Sequence, residues 1–235
     1  LNGGTGEVGA DLWPHGSWFR LAHRVDYTNN TSAIFVDGIK VLGDDELGAP
    51  DWLWCAGGGG GIWILSDNGP DSEVALVRCA NAAIVDLLVP DATLEALGAP
   101  DASGIFIDRC EWRFEDNVPV DGVPLESVHG RSNLIPTGME LGVDWGLAST
   151  NGLSVPHIDG KPASFVWMDN VYGANRGLAT EYQARANGGG DTGDVYEYTL
   201  ILDLFIDKQQ DQLQALYQGN DTNSNDAEWF LDCSS

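Results

Sequence analysis

Wherever this chain shows periodicity, apolar and polar residues mostly alternate with a period of two. Residues 18–25 (WFRLAHRV) put Phe19, Leu21 and Val25 on one face and Arg20 and Arg24 on the other. A polar turn, Thr28-Asn29-Asn30-Thr31, separates this run from a second, Ala33–Val36, which closes at Asp37-Gly38. Asn and Gly tolerate the turn conformations that β-branched residues resist, so a hairpin is predicted. Residues 198–206 set Leu200, Leu202, Leu204 and Ile206 on one face. Trp112 and Phe114 alternate with Glu111, Arg113 and Glu115. Shorter strands are expected at 62–66, 215–218 and 228–231, the stretch from 208 being a loop that leads into the second of these. Helical signal is confined to 91–97, with Pro90 before it and Gly98 as the stop. Many short strands joined by turns predict an all-β, antiparallel two-sheet sandwich with one short helix.

Composition agrees with that class. The 235 residues are 43% hydrophobic and 20% charged, with 30 glycines and 9 tryptophans, which describes a globular chain with a core. The net charge of −25 argues against nucleic acid and anionic membranes as partners and favours solubility or cation binding. No apolar run approaches a membrane-spanning length, so no membrane insertion is expected. The first residues carry neither a basic nor an apolar signal region. An extracellular, secreted setting is nevertheless expected from two features. Cys55, Cys79, Cys110 and Cys233 allow two disulfides in three connectivities, with no CxxC or zinc-type spacing. Sequons begin at Asn29, Asn30 and Asn220, each in a polar turn segment suited to N-linked glycans.

Several segments in order resemble one family. "SWFRLAHRVD" with "SAIFVDGIKV" is similar to a hairpin of concanavalin A-like, laminin-G-type jelly rolls. "IWILSDNGPDSEVALVRCANAAIVDLLVPDATLEALGAP" resembles the closing stretch of those domains, and "CEWRFED" their opening strand. "YEYTLILDLFI" and "ALYQGNDTNSNDAEWFL" resemble their middle strands, and the likeness is weakest between about 117 and 180. The order is rotated: the family's second half falls in residues 1–100, its first half in 110–235, and residues 101–109 connect them. Two explanations fit. Either the domain is circularly permuted, or the chain is one period of a tandem array whose halves belong to neighbouring domains. The connector, with Ile105, Phe106 and Ile107, is too short and too apolar for a floppy linker.

Candidate chemistry divides into three kinds. Jelly rolls of this class include glucanases, which need two carboxylates about 5 Å apart. Glu111 and Glu115 share a face with Arg113 between them, and Asp203 and Asp207 share one with Phe205. Neither pattern completes the motif, and both are expected to be solvated strand faces; the four histidines are scattered. The resemblance also implies loop-bound Ca2+, which takes about six to eight oxygen ligands. The suppliers would be Asp67, Asp71 and Glu73 in one loop and Asp221, Asn223 and Asp226 in another. For sugar stacking, Trp52 and Trp54 lie beside the glycine run at 57–61. The reading that follows is a non-enzymatic, secreted structural or adhesive unit that assembles with copies of itself. A stand-alone Ca2+- or glycan-binding module is the alternative, and a glycoside hydrolase relative ranks last.

Overall fold

The period-two pattern becomes a two-sheet β architecture in a computed structural model, which describes residues 14–46, 54–55, 62–65, 77–105, 110–114, 125–128, 133–168, 177–180, 194–207, 213–218 and 228–232. Before the helix come β1 (Trp18–Asp26), β2 (Thr31–Val36), β3 (Ile39–Glu46), β4 (Trp54–Cys55), β5 (Ile62–Ile64) and β6 (Arg78–Val85). Helix α1 spans Asp91–Leu97, where the Pro and Gly punctuation sets it. After it come β7 (Cys110–Arg113), β8 (Leu125–Glu126), β9 (Asn133–Thr137), β10 (Trp145–Ser149) and β11 (Ser164–Met168). The series ends with β12 (Gly177–Thr180), β13 (Asp194–Val195), β14 (Glu197–Phe205), β15 (Leu213–Gln218) and β16 (Glu228–Asp232). The strand expected at 215–218 therefore begins two residues earlier, at Leu213.

Seven of the larger sheet's eight strands follow the order β10-β11-β6-β14-β1-β2-β3, and β7 is the eighth. β7 lies beside β11 on one edge of β6, with β11 opposite Arg78 and Cys79 and β7 opposite Asn81–Ile84. The second sheet runs β16-β15-β5-β12-β9-β8, and β13 pairs with β4 apart from both. Every strand pairing is antiparallel. β14 sits between β1 and β6, so segments from either side of the connector interleave within one sheet.

A single apolar core joins the two sheets. Phe19, Leu21, Val25, Leu200, Leu202 and Leu204 of the larger sheet cluster with Ile64, Leu134, Leu178 and Leu216 of the smaller. Here the expected faces of β1 and β14 are the observed ones. Tyr198 and Tyr217 meet edge to face within this layer, their hydroxyls hydrogen-bonded to each other. Burial holds the Tyr198 phenol well above its ordinary pKa. His23 also faces inward, and burial lowers its pKa from 6.5 to about 3, so it is a neutral core residue.

The outer face of the larger sheet is covered too. Leu94 of α1, Val89 and Ile105 pack on Ala22, Ala33, Phe35, Ala83, Val85 and Ile201. Asp91 in the helix's first turn pairs with Arg24 of β1 and, at 3.0 Å, with Lys40 of β3. Gly38, in the β2–β3 turn, has φ +78, and a Cβ there would lie 2.5 Å from the Glu95 carbonyl oxygen, so the helix seats directly on the turn. Farther along the sheet, Val155 and Ile158 cover Trp18, Ala80, Phe165 and Phe205. The Trp18 indole N–H anchors this second cover by donating to the Pro156 carbonyl at 2.7 Å.

Candidate functional site

Between these two covers the outer face holds charge where a β-sheet would normally place apolar residues. Arg20 on β1 and Asp203 on β14 stand directly opposite in the ladder. Arg20 is 2% exposed and Asp203 0%. The guanidinium donates through Nε to Asp203 Oδ1 at 2.7 Å and through Nη2 to Oδ2 at 2.9 Å. This is the two-pronged geometry that suits arginine and carboxylate. Nη1 donates to the carbonyl of Leu97, the last residue of α1, at 3.0 Å, and Nη2 also reaches the Gly104 carbonyl of the connector at 3.2 Å. Burial opposes the charge on Arg20, but the bond and charge of Asp203 outweigh it and hold the guanidinium pKa above its usual value.

A β-bulge brings in the third member. The β14–β6 register moves from Asp203↔Asn81 to Leu204↔Cys79, leaving Ala80 as the extra residue. Asn81 therefore lies next to Asp203, and its Nδ2 donates to Asp203 Oδ2 at 2.7 Å. That bond fixes the amide orientation, because the carboxylate only accepts. Asn81 Oδ1 consequently points away from Asp203 and meets no donor among the described residues.

Glu111 on β7 completes the seam. It is fully buried, and its Oε1 accepts from the Ile105 backbone N–H at 3.1 Å and from Arg113 Nε at 2.5 Å. Gly104 has φ +86, and a Cβ at this position would meet Arg113 Nε at 2.5 Å, so glycine lets the connector lie flat on these side chains. The solvated strand faces expected around Glu111 and Asp203 are thus corrected. Both carboxylates are buried, because α1 and the connector cover the sheet's outer face and supply or position their partners.

A cleft of about 190 Å3 opens beside the seam. Ala80 and Asn81 form part of its wall, Asp101 and Ala102 of the connector another part, and Ile158 with Lys161–Ser164 the rest. The latter wall is a tight turn: Ile158 and Lys161 exchange backbone hydrogen bonds of 3.0 and 2.9 Å around Asp159 and Gly160, both with positive φ. Thr150 ties its base by accepting from the Ala163 N–H at 2.7 Å. Asp101 accepts from the Ser103 hydroxyl and backbone N–H, and the hydroxyl bond is the main cause of a carboxyl pKa below its ordinary value.

The other candidates distribute as follows. Asn29 and Asn30 form the β1–β2 turn; Asn29 is exposed and donates to Asp26 Oδ2 at 2.7 Å, while Asn30 takes φ +57. Cys79 is a fully buried free thiol whose Sγ lies 3.1 Å from the Asn81 carbonyl oxygen, and burial pushes its pKa up. Cys110 stands opposite Ile84, five residues along β6 from Cys79. That is roughly 17 Å at about 3.3 Å per residue, far beyond the ~4.4–6.8 Å Cα separation a disulfide requires. A Cys79–Cys110 bridge is therefore ruled out. Of Trp54, Cys55 and Cys110 only the strand backbone is described, with Cys55 opposite Asp194. Trp52, Asp67, Asp71, Glu73, Asn220, Asp221, Asn223, Asp226 and Cys233 lie outside the described residues. Among the described residues no three His, Cys, Asp or Glu side chains converge as metal ligands, and no helix is long and apolar enough to cross a membrane.

Sequence reasoning assigns Asp203 to a solvated strand face, places Arg20 only on the face of β1 opposite Phe19 and Leu21, and does not select Asn81 at all. One signal was available. Asp203 is the single charge within an apolar run, Leu200–Ile206, whose alternate face carries Ile201 and Phe205. A strand that is apolar on both faces is buried on both. A charge inside it requires a partner. Comparison with protein-family models, with curated proteins and with solved structures finds no match for this chain.

Proposed function

We propose that this chain is a non-enzymatic, secreted structural or adhesive unit, a laminin-G-like jelly roll in rotated order that assembles with copies of itself. The observation that carries this reading is the pinned connector. Arg20 binds the Gly104 carbonyl, and Glu111 binds the Ile105 N–H, so the segment joining the two halves is locked onto the sheet, while the Arg20 bond to Leu97 holds the end of α1 beside it. A domain whose internal connection is fixed in this way is a rigid body, which suits an element of an array. The carboxylates nearest to a hydrolase pattern, Glu111 and Asp203, are engaged in buried ion pairs, which favours a structural role for them. The exposed Asn29 in the β1–β2 turn is compatible with a glycan on the surface of a secreted protein. Negative-stain microscopy of the native material, combined with its intact mass, tests the proposal. Filaments or ordered multimers are expected; monodisperse particles of single-chain mass under native conditions would overturn it.

A further inference from the structure

The edges of the two sheets are not alike. β3 carries Lys40, Asp44, Asp45 and Glu46, β16 carries Glu228 and Asp232, and β8 is two residues long and includes Glu126. Charge and brevity of this kind keep an open edge from pairing with other chains. β10 lacks that protection: no residue from Trp145 to Leu153 is charged, although the chain carries a net −25. The groups that β10 turns outward follow from two bonds. The Thr150 N–H donates to the Ala163 carbonyl at 2.8 Å, extending the β10–β11 register by one pair. Antiparallel ladders alternate, so Gly146 and Ala148 direct their N–H and C=O groups to β11, while Trp145, Leu147 and Ser149 direct theirs outward. The Trp145 carbonyl is already engaged, accepting from the Gly142 N–H at 2.6 Å. Leu147 and Ser149 thus present donors and acceptors on an edge where β11 is the one described neighbour of β10. Apolar side chains flank it: Val143 is 61% exposed just before the strand and Leu153 52% just after.

We propose that the β10 edge pairs with the β10 edge of a second copy of this chain, antiparallel about a two-fold axis at Ala148. This contact rests on the reading that the chain assembles with its own copies, and gives that assembly a place. The register sets Leu147 opposite Ser149 of the second copy as hydrogen-bonded pairs, so the outward N–H and C=O groups of both residues are satisfied and the Trp145 carbonyl is spared. Ala148 meets its own counterpart in the close, non-bonded position, about 4.5 Å between Cα atoms, where a small side chain fits. Val143 and Leu153 each stand five positions from Ala148, so the same axis brings Val143 of one copy toward Leu153 of the other. Asp144 falls toward Gly152, and no like charges are opposed there. A cationic partner would find no carboxylate along β10, and the self-complementary spacing favours the chain itself. A two-fold contact closes on itself, so this edge yields pairs of chains.

Amide–water exchange rates of the full chain, measured by NMR at about 30 µM and about 1 mM, read this contact residue by residue, with light scattering for the mass. One short edge is a small contact, so a Kd on the order of 0.1 mM is expected. The Leu147 and Ser149 amides then slow about threefold between the two concentrations, while those of Gly146 and Ala148, already bonded to β11, do not change. Pairs of chains in which the first two amides do not slow overturn this edge and leave the assembly reading standing. A single-chain mass at about 1 mM overturns both. Exposed substitutions test the register. Leu153→Asp sets a charge against Val143 of the second copy and weakens pairing about tenfold, with the melting temperature unchanged. Adding Val143→Lys restores the pairing, whereas adding Ile39→Lys, at an exposed position on the far edge of the same sheet, does not. No effect of Leu153→Asp, or a rescue by Val143→Lys no greater than by Ile39→Lys, also overturns the proposal.

Discussion

The two faces of the larger sheet are both buried, yet only the outer one carries a seam of paired charge among its apolar residues. The inner face of β1, β14 and β6 is apolar and packs against the second sheet, with Leu21, Leu202 and Ala82 in register across three strands. The outer face of the same strands carries Arg20, Asp203 and Asn81, also in register, beneath a lid made of a helix and a connector. The inner face is stabilised by non-directional burial that tolerates substitution of similar volume. The outer face depends on directional bonds, where losing one partner strands the other. Stability is thus distributed over the inner layer, whereas the position of the lid rests on a few side chains.

That contrast yields a graded set of expectations. Asp203→Ala leaves the Arg20 charge buried, and a loss of about 3–5 kcal/mol is expected by chemical denaturation. Replacing both Arg20 and Asp203 with leucine is expected to cost less than Asp203→Ala alone, because no uncompensated charge remains. A double substitution as costly as the sum of its parts would show that the two residues act independently. Leu94→Ala removes the helix's one buried side chain and is expected to cost about 2–3 kcal/mol, with faster proteolysis near α1.

His23 gives the inner face a pH dependence of its own. Its folded pKa, about 3, lies below the ordinary value of 6.5, so the unfolded chain takes up a proton that the folded chain refuses. The contribution is fully present above pH 6.5 and is lost as pH falls toward 3. Its slope approaches about 1.4 kcal/mol per pH unit, best read between about pH 6 and 5, before most carboxylates titrate. His23→Leu is expected to flatten this window; an unchanged slope would place the titration elsewhere. The smallest effect is expected at Asp91, which is half-buried at the surface. Slight burial raises its carboxyl pKa, but Lys40 and Arg24 outweigh that and hold it below the ordinary value. Its contribution is therefore present above the ordinary carboxylate pKa and is lost as pH falls through the lowered one. Asp91→Asn is expected to cost a few tenths of a kcal/mol, less at high salt.

The two faces also differ in how far the residues alone disclose them. Phe19, Leu21 and Val25 on β1, and Leu200, Leu202 and Leu204 on β14, repeat every second position, so the all-β class, the β1–β2 hairpin and the inner core follow from periodicity. Helix α1 is legible because Pro90 and Gly98 bracket it. Arg20 is not legible in the same way, because a charge on an alternating strand has the same signature whether water or a lid lies above it. Asp203, inside a run apolar on both faces, signals that a partner is needed, but the partner stands 183 positions away. Asn81 is harder still: the bulge at Ala80 shifts the alternation, and only strand register shows it facing Asp203. The pinned connector was partly foreshadowed by Ile105, whose apolar side chain ill suits a solvated linker.

The central claim is that the connector is locked to the sheet by buried bonds, and the Ile105 amide reports on it most directly. This N–H donates to the carboxylate side chain of the fully buried Glu111 on β7, not to a ladder carbonyl. Native-state hydrogen exchange should find it protected to nearly the same free energy as the core amides of Leu21 and Leu202, exchanging only when the sheet itself unfolds. Exchange of Ile105 several kcal/mol more easily than those amides, as in a locally opening loop, would contradict the account.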